Sequence, residues 1–139
     1  MSYLLDTNVV SALRVPGRNP EVEAWASSVP LGEQHLSVIS VAEIERSIAS
    51  RERVDPAQTA TLRRWFERQV LPAFSGRILP FDLRAARILG GYRVPEHAPL
   101  DDALIAATAE AAGFTLVTRN LAHVLPLGVP CLNPWDLTG

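Results

Sequence analysis

The chain has 139 residues, of which 47% are hydrophobic and 20% charged, and its formal net charge is −2. These values are typical of one globular domain, expected over residues 1–139, and give no overall basic footprint for nucleic acid. All 13 basic residues are arginine, which excludes chemistry that needs a lysine, such as a P-loop or a Schiff base. The single cysteine, Cys131, excludes an internal disulfide and a thiolate zinc site.

Short apolar stretches alternate with helical patterns in the first half of the chain. Asp6 and Thr7 have the residue types that cap a helix, and they directly follow the first apolar stretch. The predicted elements are a strand (2–5), a helix (8–14), a helix (21–28), a strand (36–39) and a helix (40–52).

The same alternation continues to the C-terminus. A long amphipathic helix is predicted from Asp55-Pro56 to Gly76, because proline is favoured in the first helical turn and glycine after the last one. It is followed by a strand (77–81), a helix capped by Asp82 (to about 92), a loop (94–99), a helix (102–112) and two strands (115–118 and 129–132). This order predicts an α/β fold, an α/β/α sandwich with a central, mostly parallel sheet.

Three carboxylates lie where an apolar stretch passes into a helical one: Asp6, Glu43 and Asp102. In parallel sheets the carboxyl ends of the strands meet at one edge, where ligands bind. Carboxylates gathered there repel one another unless a hard divalent cation such as Mg²⁺ or Mn²⁺ lies between them. A metal site of this kind suits phosphodiester hydrolysis.

Each acid also has a purely structural explanation. Asp6 is a good helix N-cap, and Ser40-Val41-Ala42-Glu43 matches a capping box, in which the serine and the glutamate satisfy each other's backbone donors. Asp101 and Asp102 are an acidic pair that the helix dipole favours. His35, His97 and His123 show no metal-ligand spacing and are expected on the surface or in loops.

The motifs together resemble a PIN domain, and more narrowly the VapC-type toxins of toxin-antitoxin pairs. The stretches that carry the resemblance keep their order along the whole chain: Tyr3-Leu4-Leu5-Asp6-Thr7-Asn8, Ser40-Val41-Ala42-Glu43, Asp102-Ala103-Leu104-Ile105-Ala106-Ala107-Thr108-Ala109, Leu116-Val117-Thr118-Arg119-Asn120 and Leu132-Asn133-Pro134-Trp135.

The resemblance implies a Mg²⁺-dependent endoribonuclease, with Mn²⁺ as a substitute, in which Asp6 and Asp102 are metal ligands and Glu43 is a ligand or a water-orienting base. Asp102 is preferred to Asp101 because it directly precedes Ala-Leu-Ile-Ala-Ala. Asn120 occupies a catalytic position where some relatives carry a fourth acid. Thr7, Asn8 and Thr118 match positions that support the cluster.

The resemblance also implies an RNA substrate, a cognate antitoxin that forms a heteromeric complex with the toxin, and a toxin homodimer. No apolar run has the length of a membrane span and no basic residue precedes the first apolar stretch, so neither a membrane anchor nor a secretory signal is expected, and the cytoplasm is the expected location. Two other functions remain open: a housekeeping structure-specific nuclease, and a degenerate PIN domain that binds a partner without cutting RNA.

Overall fold

The computed structural model describes residues 1–137, so positions 138 and 139 of the predicted domain lie outside the described residues. Within that range, five strands form one sheet in the order β3-β2-β1-β4-β5, and every neighbouring pair is parallel. The strands are β1 (Tyr3–Leu5), β2 (Gln34–Ser37), β3 (Ile78–Leu79), β4 (Thr115–Val117) and β5 (Cys131–Leu132). All their carboxyl ends therefore lie at the same edge of the sheet, as predicted.

Helices connect the strands and cover both faces of the sheet, which confirms the predicted α/β/α fold. They are α1 (Thr7–Ala12), α2 (Pro20–Ser28), α3 (Val38–Glu52), α4 (Pro56–Trp65), α5 (Leu71–Ala73), α6 (Leu83–Gly91), α7 (Leu100–Ala112) and α8 (Leu121–Val124). Between residues 1 and 137 there is no helix long and apolar enough to cross a membrane.

Alternate residues of the central strands face two separate cores, as the period of two in a strand requires. Leu5 and Val117 pack with residues of α1 to α4 and with the fully buried Phe66, which follows α4. Leu4 and Leu116 face the other side, where Ile105 of α7 covers them. Helix α7 is nearly all apolar because it is buried against this side of the sheet and against α6.

The start of α3 differs from the sequence-based prediction. Strand β2 ends at Ser37, and the Ser37 hydroxyl accepts a hydrogen bond from the Ile39 N–H at 3.0 Å, so Ser37 is the N-cap. Val38 and Ile39, which were predicted to complete the strand, form the first turn of the helix. Ser40 is inside the helix, so the capping box that would have explained Glu43 does not form.

Other differences concern short elements. The helix predicted from Pro56 to Gly76 runs to Ala73 but is π-helical over Phe66–Val70, where the Leu71 N–H donates to the Phe66 carbonyl. Pro72 favours this change because it has no N–H to donate to a carbonyl of the preceding turn. The short helix α8 was not predicted, because four residues are too few to show a helical pattern.

Candidate functional site

Asp6 is held at the carboxyl end of β1 as the N-cap of α1. Its Oδ1 accepts a hydrogen bond from the Thr7 N–H at 2.7 Å, and its Oδ2 accepts from the Thr118 hydroxyl at 2.7 Å and from Asn8 Nδ2 at 3.3 Å. The residue is only 6% exposed. Burial raises its pKa, against the hydrogen bonds from Thr118 and Thr7, and the charge of Asp102 adds to this effect. The Asp6 side chain therefore both caps α1 and belongs to the acidic site.

Glu43 lies near the start of α3, the helix that begins at the same edge of the sheet. Its Oε1 is buried and has no hydrogen-bond partner among the described residues. Burial, followed by the negative charges of Asp6 and Asp101, raises the Glu43 pKa from 4.5 to about 7. An unsatisfied, buried carboxylate oxygen is costly for the fold, so capping does not account for this residue.

Asp102 lies in the first turn of α7, which begins at the edge where β4 ends. Its side chain is 20% exposed, and its Oδ2 is 2.8 Å from Nδ1 of His123 on α8. His123 is exposed, as expected, but it lies on α8 and contacts one of the three acids. No spacing rule reveals this contact, because the two residues are far apart in sequence and meet only when α8 packs against α7.

Asp101 and Asn120 have less direct connections with the cluster. Asp101 is exposed and pairs with Arg46, with 3.7 Å between Oδ2 and Nη2. Asn120 is exposed, and the hydrogen bond that links it to the cluster is made by its backbone N–H, which donates to Thr118 Oγ1 at 3.1 Å. Its role as a fourth catalytic group remains a prediction.

The polar residues that were expected to support the acids do contact them or their neighbours. Asn8 and Thr118 both donate to Asp6, and Thr7 donates through its hydroxyl to Ser40 Oγ at 2.9 Å. This last contact joins the start of α1 to the first turns of α3. The backbone segments that carry Asp6 and Glu43 are therefore tied together.

The side chains at this edge meet some of the requirements of a divalent cation. Across residues 1–137, no three Asp, Glu, His or Cys side chains are grouped closely enough to hold a metal ion as they stand. Two features nevertheless fit a hard cation: neighbouring carboxylates add to the raised pKa of Asp6 and of Glu43, and Glu43 Oε1 has no hydrogen-bond partner among the described residues. A cation would relieve the repulsion between the carboxylates and would give Glu43 Oε1 a partner. Oxygen ligands of this kind suit Mg²⁺ or Mn²⁺.

Comparison with known proteins identifies the family of the chain. The family model described as PIN domain matches residues 3–123. Toxin FitB of Neisseria gonorrhoeae is 36% identical over 137 residues, which cover 95% of this chain and 97% of that protein. Ribonuclease VapC14 of Mycobacterium tuberculosis is 60% identical over 74 residues, covering 53% of this chain and 72% of that protein.

Solved structures show the same similarity in three dimensions. The structure described as FitAB bound to an IR36 DNA fragment superposes with a TM-score of 0.84 at 34% identity, and covers 99% of this chain and 98% of that one. The FitAcB crystal structure from Neisseria gonorrhoeae also gives 0.84, at 36% identity, with 97% and 99% covered. With its sheet order, its acidic edge and these matches, the chain belongs to the PIN-domain family.

Proposed function

We propose that the chain is a metal-dependent endoribonuclease that hydrolyses RNA phosphodiester bonds at the edge of the sheet. The observation that carries this proposal is that Asp6, Glu43 and Asp102 lie at that edge, where neighbouring carboxylates add to the raised pKa of Asp6 and of Glu43 and where Glu43 Oε1 has no hydrogen-bond partner among the described residues. The names of the relatives support it, since two of them are called ribonucleases.

The three acids have different tasks in this proposal. Asp6 and Asp102 hold Mg²⁺, or Mn²⁺ in its place, and Glu43 completes the set as a ligand or orients the attacking water. When bound, the cation would act as a Lewis acid and would stabilise charge on the scissile phosphate. Asn8 and Thr118 hold the Asp6 carboxylate in one orientation, and Asn120 lies beside them as an additional polar group.

We further propose that the chain is the toxin of a toxin-antitoxin pair that acts in the cytoplasm, forms a homodimer and is restrained by a protein antitoxin. Support comes from the relative named Toxin FitB and from the structure described as FitAB. The chain itself offers a place for a partner segment: a groove of about 780 Å³ beside α3 and α4. It is lined by Arg14, Ser50, Arg51, Val54, Asp55, Gln58, Thr59, Thr61 and Leu62.

The activity is tested by incubating the purified chain with structured and single-stranded RNA, with Mg²⁺ or with EDTA. Cleavage is expected only with Mg²⁺, and Asp6→Asn should abolish it while leaving the circular dichroism spectrum unchanged. Asp55→Asn is the matched control, because Asp55 also caps a helix through its side chain but lies at the far end of α3. Full activity of Asp6→Asn, or equal cleavage in EDTA, would contradict the proposal.

The antitoxin proposal has a separate test. Expression of the chain alone should arrest growth, and co-expression with the product of a small reading frame next to its gene should relieve the arrest. The relief should come with a complex that co-purifies. If the chain cleaves RNA but does not arrest growth, a housekeeping nuclease explains it better. If the chain neither binds Mg²⁺ in calorimetry nor cuts RNA, it is better explained as a binding module.

A further inference from the structure

The backbone of Arg119 lies beside the acidic site, where hydrogen bonds to its N–H and its carbonyl hold it in place. It directly follows Thr118, whose hydroxyl donates to Asp6. The Arg119 N–H donates to Asn8 Oδ1 at 3.3 Å, and the Arg119 carbonyl accepts from Asn133 Nδ2 at 3.3 Å. Because the Asn8 amide nitrogen also donates to Asp6, one side chain connects the acid and the arginine.

The side chain of Arg119 is also held in place. Its guanidinium carbon lies 4.8 Å from the centroid of the Trp135 ring, a distance at which a cation and an aromatic face attract. Trp135 is itself anchored, because its Nε1 donates to Asn19 Oδ1 at 3.2 Å and its backbone N–H donates to Asn133 Oδ1 at 2.9 Å. An ordered arginine at this position loses little further freedom when it binds an anion.

Three other arginines illustrate how a partner within the protein occupies the guanidinium. Arg63 pairs with three glutamates, Arg46 pairs with Asp101 at 3.7 Å, and Arg77 donates to backbone carbonyls. Within residues 1–137 no carboxylate lies at ion-pair distance from Arg119, and no acceptor takes a hydrogen bond from its guanidinium. Its donors are thus available to an external anion beside a cluster of acids.

We propose that Arg119, stacked on Trp135, forms a subsite for an RNA phosphate that neighbours the phosphate being cut. This inference rests on the proposed ribonuclease function. The planar guanidinium presents paired donors that match a phosphate. The acids repel a polyanion, and a cation on the residue that directly follows Thr118 offsets part of that repulsion. RNA is favoured over an acidic peptide, because a strand that enters the acidic site carries a phosphate on every nucleotide, and its neighbouring phosphates pass beside the loop of Thr118 and Arg119.

The test measures binding of a short, fluorescently labelled single-stranded RNA by anisotropy over a series of NaCl concentrations, with EDTA present to prevent cleavage. Arg119→Gln should bind about tenfold more weakly at low salt, as expected for one lost charge-assisted contact. The slope of log K against log salt should fall in magnitude by about 0.7, the value for one phosphate contact to a single strand. Arg119→Lys keeps the charge, so it should keep the slope and lose only about threefold in affinity.

Arg53→Gln is the matched control, because Arg53 is exposed at the C-terminal end of α3, about 20 Å along the helix from the acidic edge. It should retain the wild-type affinity and slope. In cleavage assays with Mg²⁺, Arg119→Gln should raise KM with little change in kcat, because the lost contact lies outside the reacting phosphate.

The outcomes separate the subsite from the function on which it rests. If the wild-type chain cuts RNA and Arg119→Gln keeps the wild-type slope, the subsite is refuted and the ribonuclease stands. If Arg119→Gln binds RNA normally but loses its protein partner, Arg119 is a partner contact and the RNA assignment is overturned. If the wild-type chain neither binds nor cuts any RNA, the subsite and the proposed function both fail.

Discussion

Glu43→Gln should make the metal-free protein more stable at neutral and alkaline pH. The pKa of Glu43 is raised from 4.5 to about 7, mainly by burial and by the charge of Asp6. The unfolded chain therefore loses this proton near pH 4.5, whereas the folded chain keeps it until about pH 7. Stability falls as the pH rises through this window, and the full cost of the charged carboxylate is present above pH 7.

The size of the effect follows from the shift. Fully converted to free energy, the change in pKa corresponds to an upper limit of about 3 kcal/mol. Glu43 is only partly buried, and solvent screening reduces this figure to about 1–2 kcal/mol. A glutamine at this position would avoid the cost because its amide carries no charge, so the variant should gain that amount at pH 8 and nothing at pH 4.5.

The assay is urea unfolding in EDTA, followed by circular dichroism, at several pH values between 4.5 and 8. Glu45→Gln is the matched control: Glu45 lies on the same helix, but its Oε2 is 3.4 Å from Arg63 Nη1. Loss of this partly exposed ion pair should change the stability by no more than about 0.5–1 kcal/mol, in the destabilising direction. The reasoning is refuted if Glu43→Gln is no more stable than wild type at pH 8, or if its advantage does not shrink as the pH falls.

Three further predictions concern the acidic cluster and the start of α3. His123→Ala should weaken Mg²⁺ binding in calorimetry about tenfold, because Asp102 loses the side chain that orients it, and unchanged affinity would show that the contact is incidental. Mg²⁺ should raise the melting temperature of the wild-type chain more than that of Asp6→Asn, and equal shifts would locate the cation elsewhere. Ser37→Ala should lower the free energy of unfolding in urea by about 1 kcal/mol, because the helix loses its N-cap. Ser47→Ala, on the exposed face of α3, should change the free energy of unfolding little. Similar losses in both variants would argue against Ser37 as the cap.

The sheet and the position of two acids could be predicted because they depend on local patterns and one general rule. Apolar runs such as Tyr3–Leu5 and Thr115–Val117 are short, are separated by helices and therefore form parallel strands. The carboxyl ends of such strands share an edge, which is enough to place Asp6 after β1. Asp102 follows from the same rule, because the helix before β4 must begin at that edge.

Contacts between distant segments could not be predicted in this way. The contact of Asp102 with His123 depends on how α8 packs against α7, and four residues of helix carry no periodic signal. The start of α3 was missed because Val38 and Ile39 suit a strand and a helical turn equally well, and the hydrogen bond from Ile39 to Ser37 decides between them. The unsatisfied oxygen of Glu43 became visible only in three dimensions, and it removes the capping explanation that the sequence had left open.

The most direct test of the central claim is to sequence the RNA ends produced in cells that express the chain without a protein partner, in parallel with cells that express Asp6→Asn. Discrete new ends should accumulate with the wild-type chain, be absent with Asp6→Asn, and be reproduced by the purified protein on the same RNA when Mg²⁺ is present. The claim that the acidic edge cuts RNA would be contradicted if the two expressed chains gave the same RNA ends.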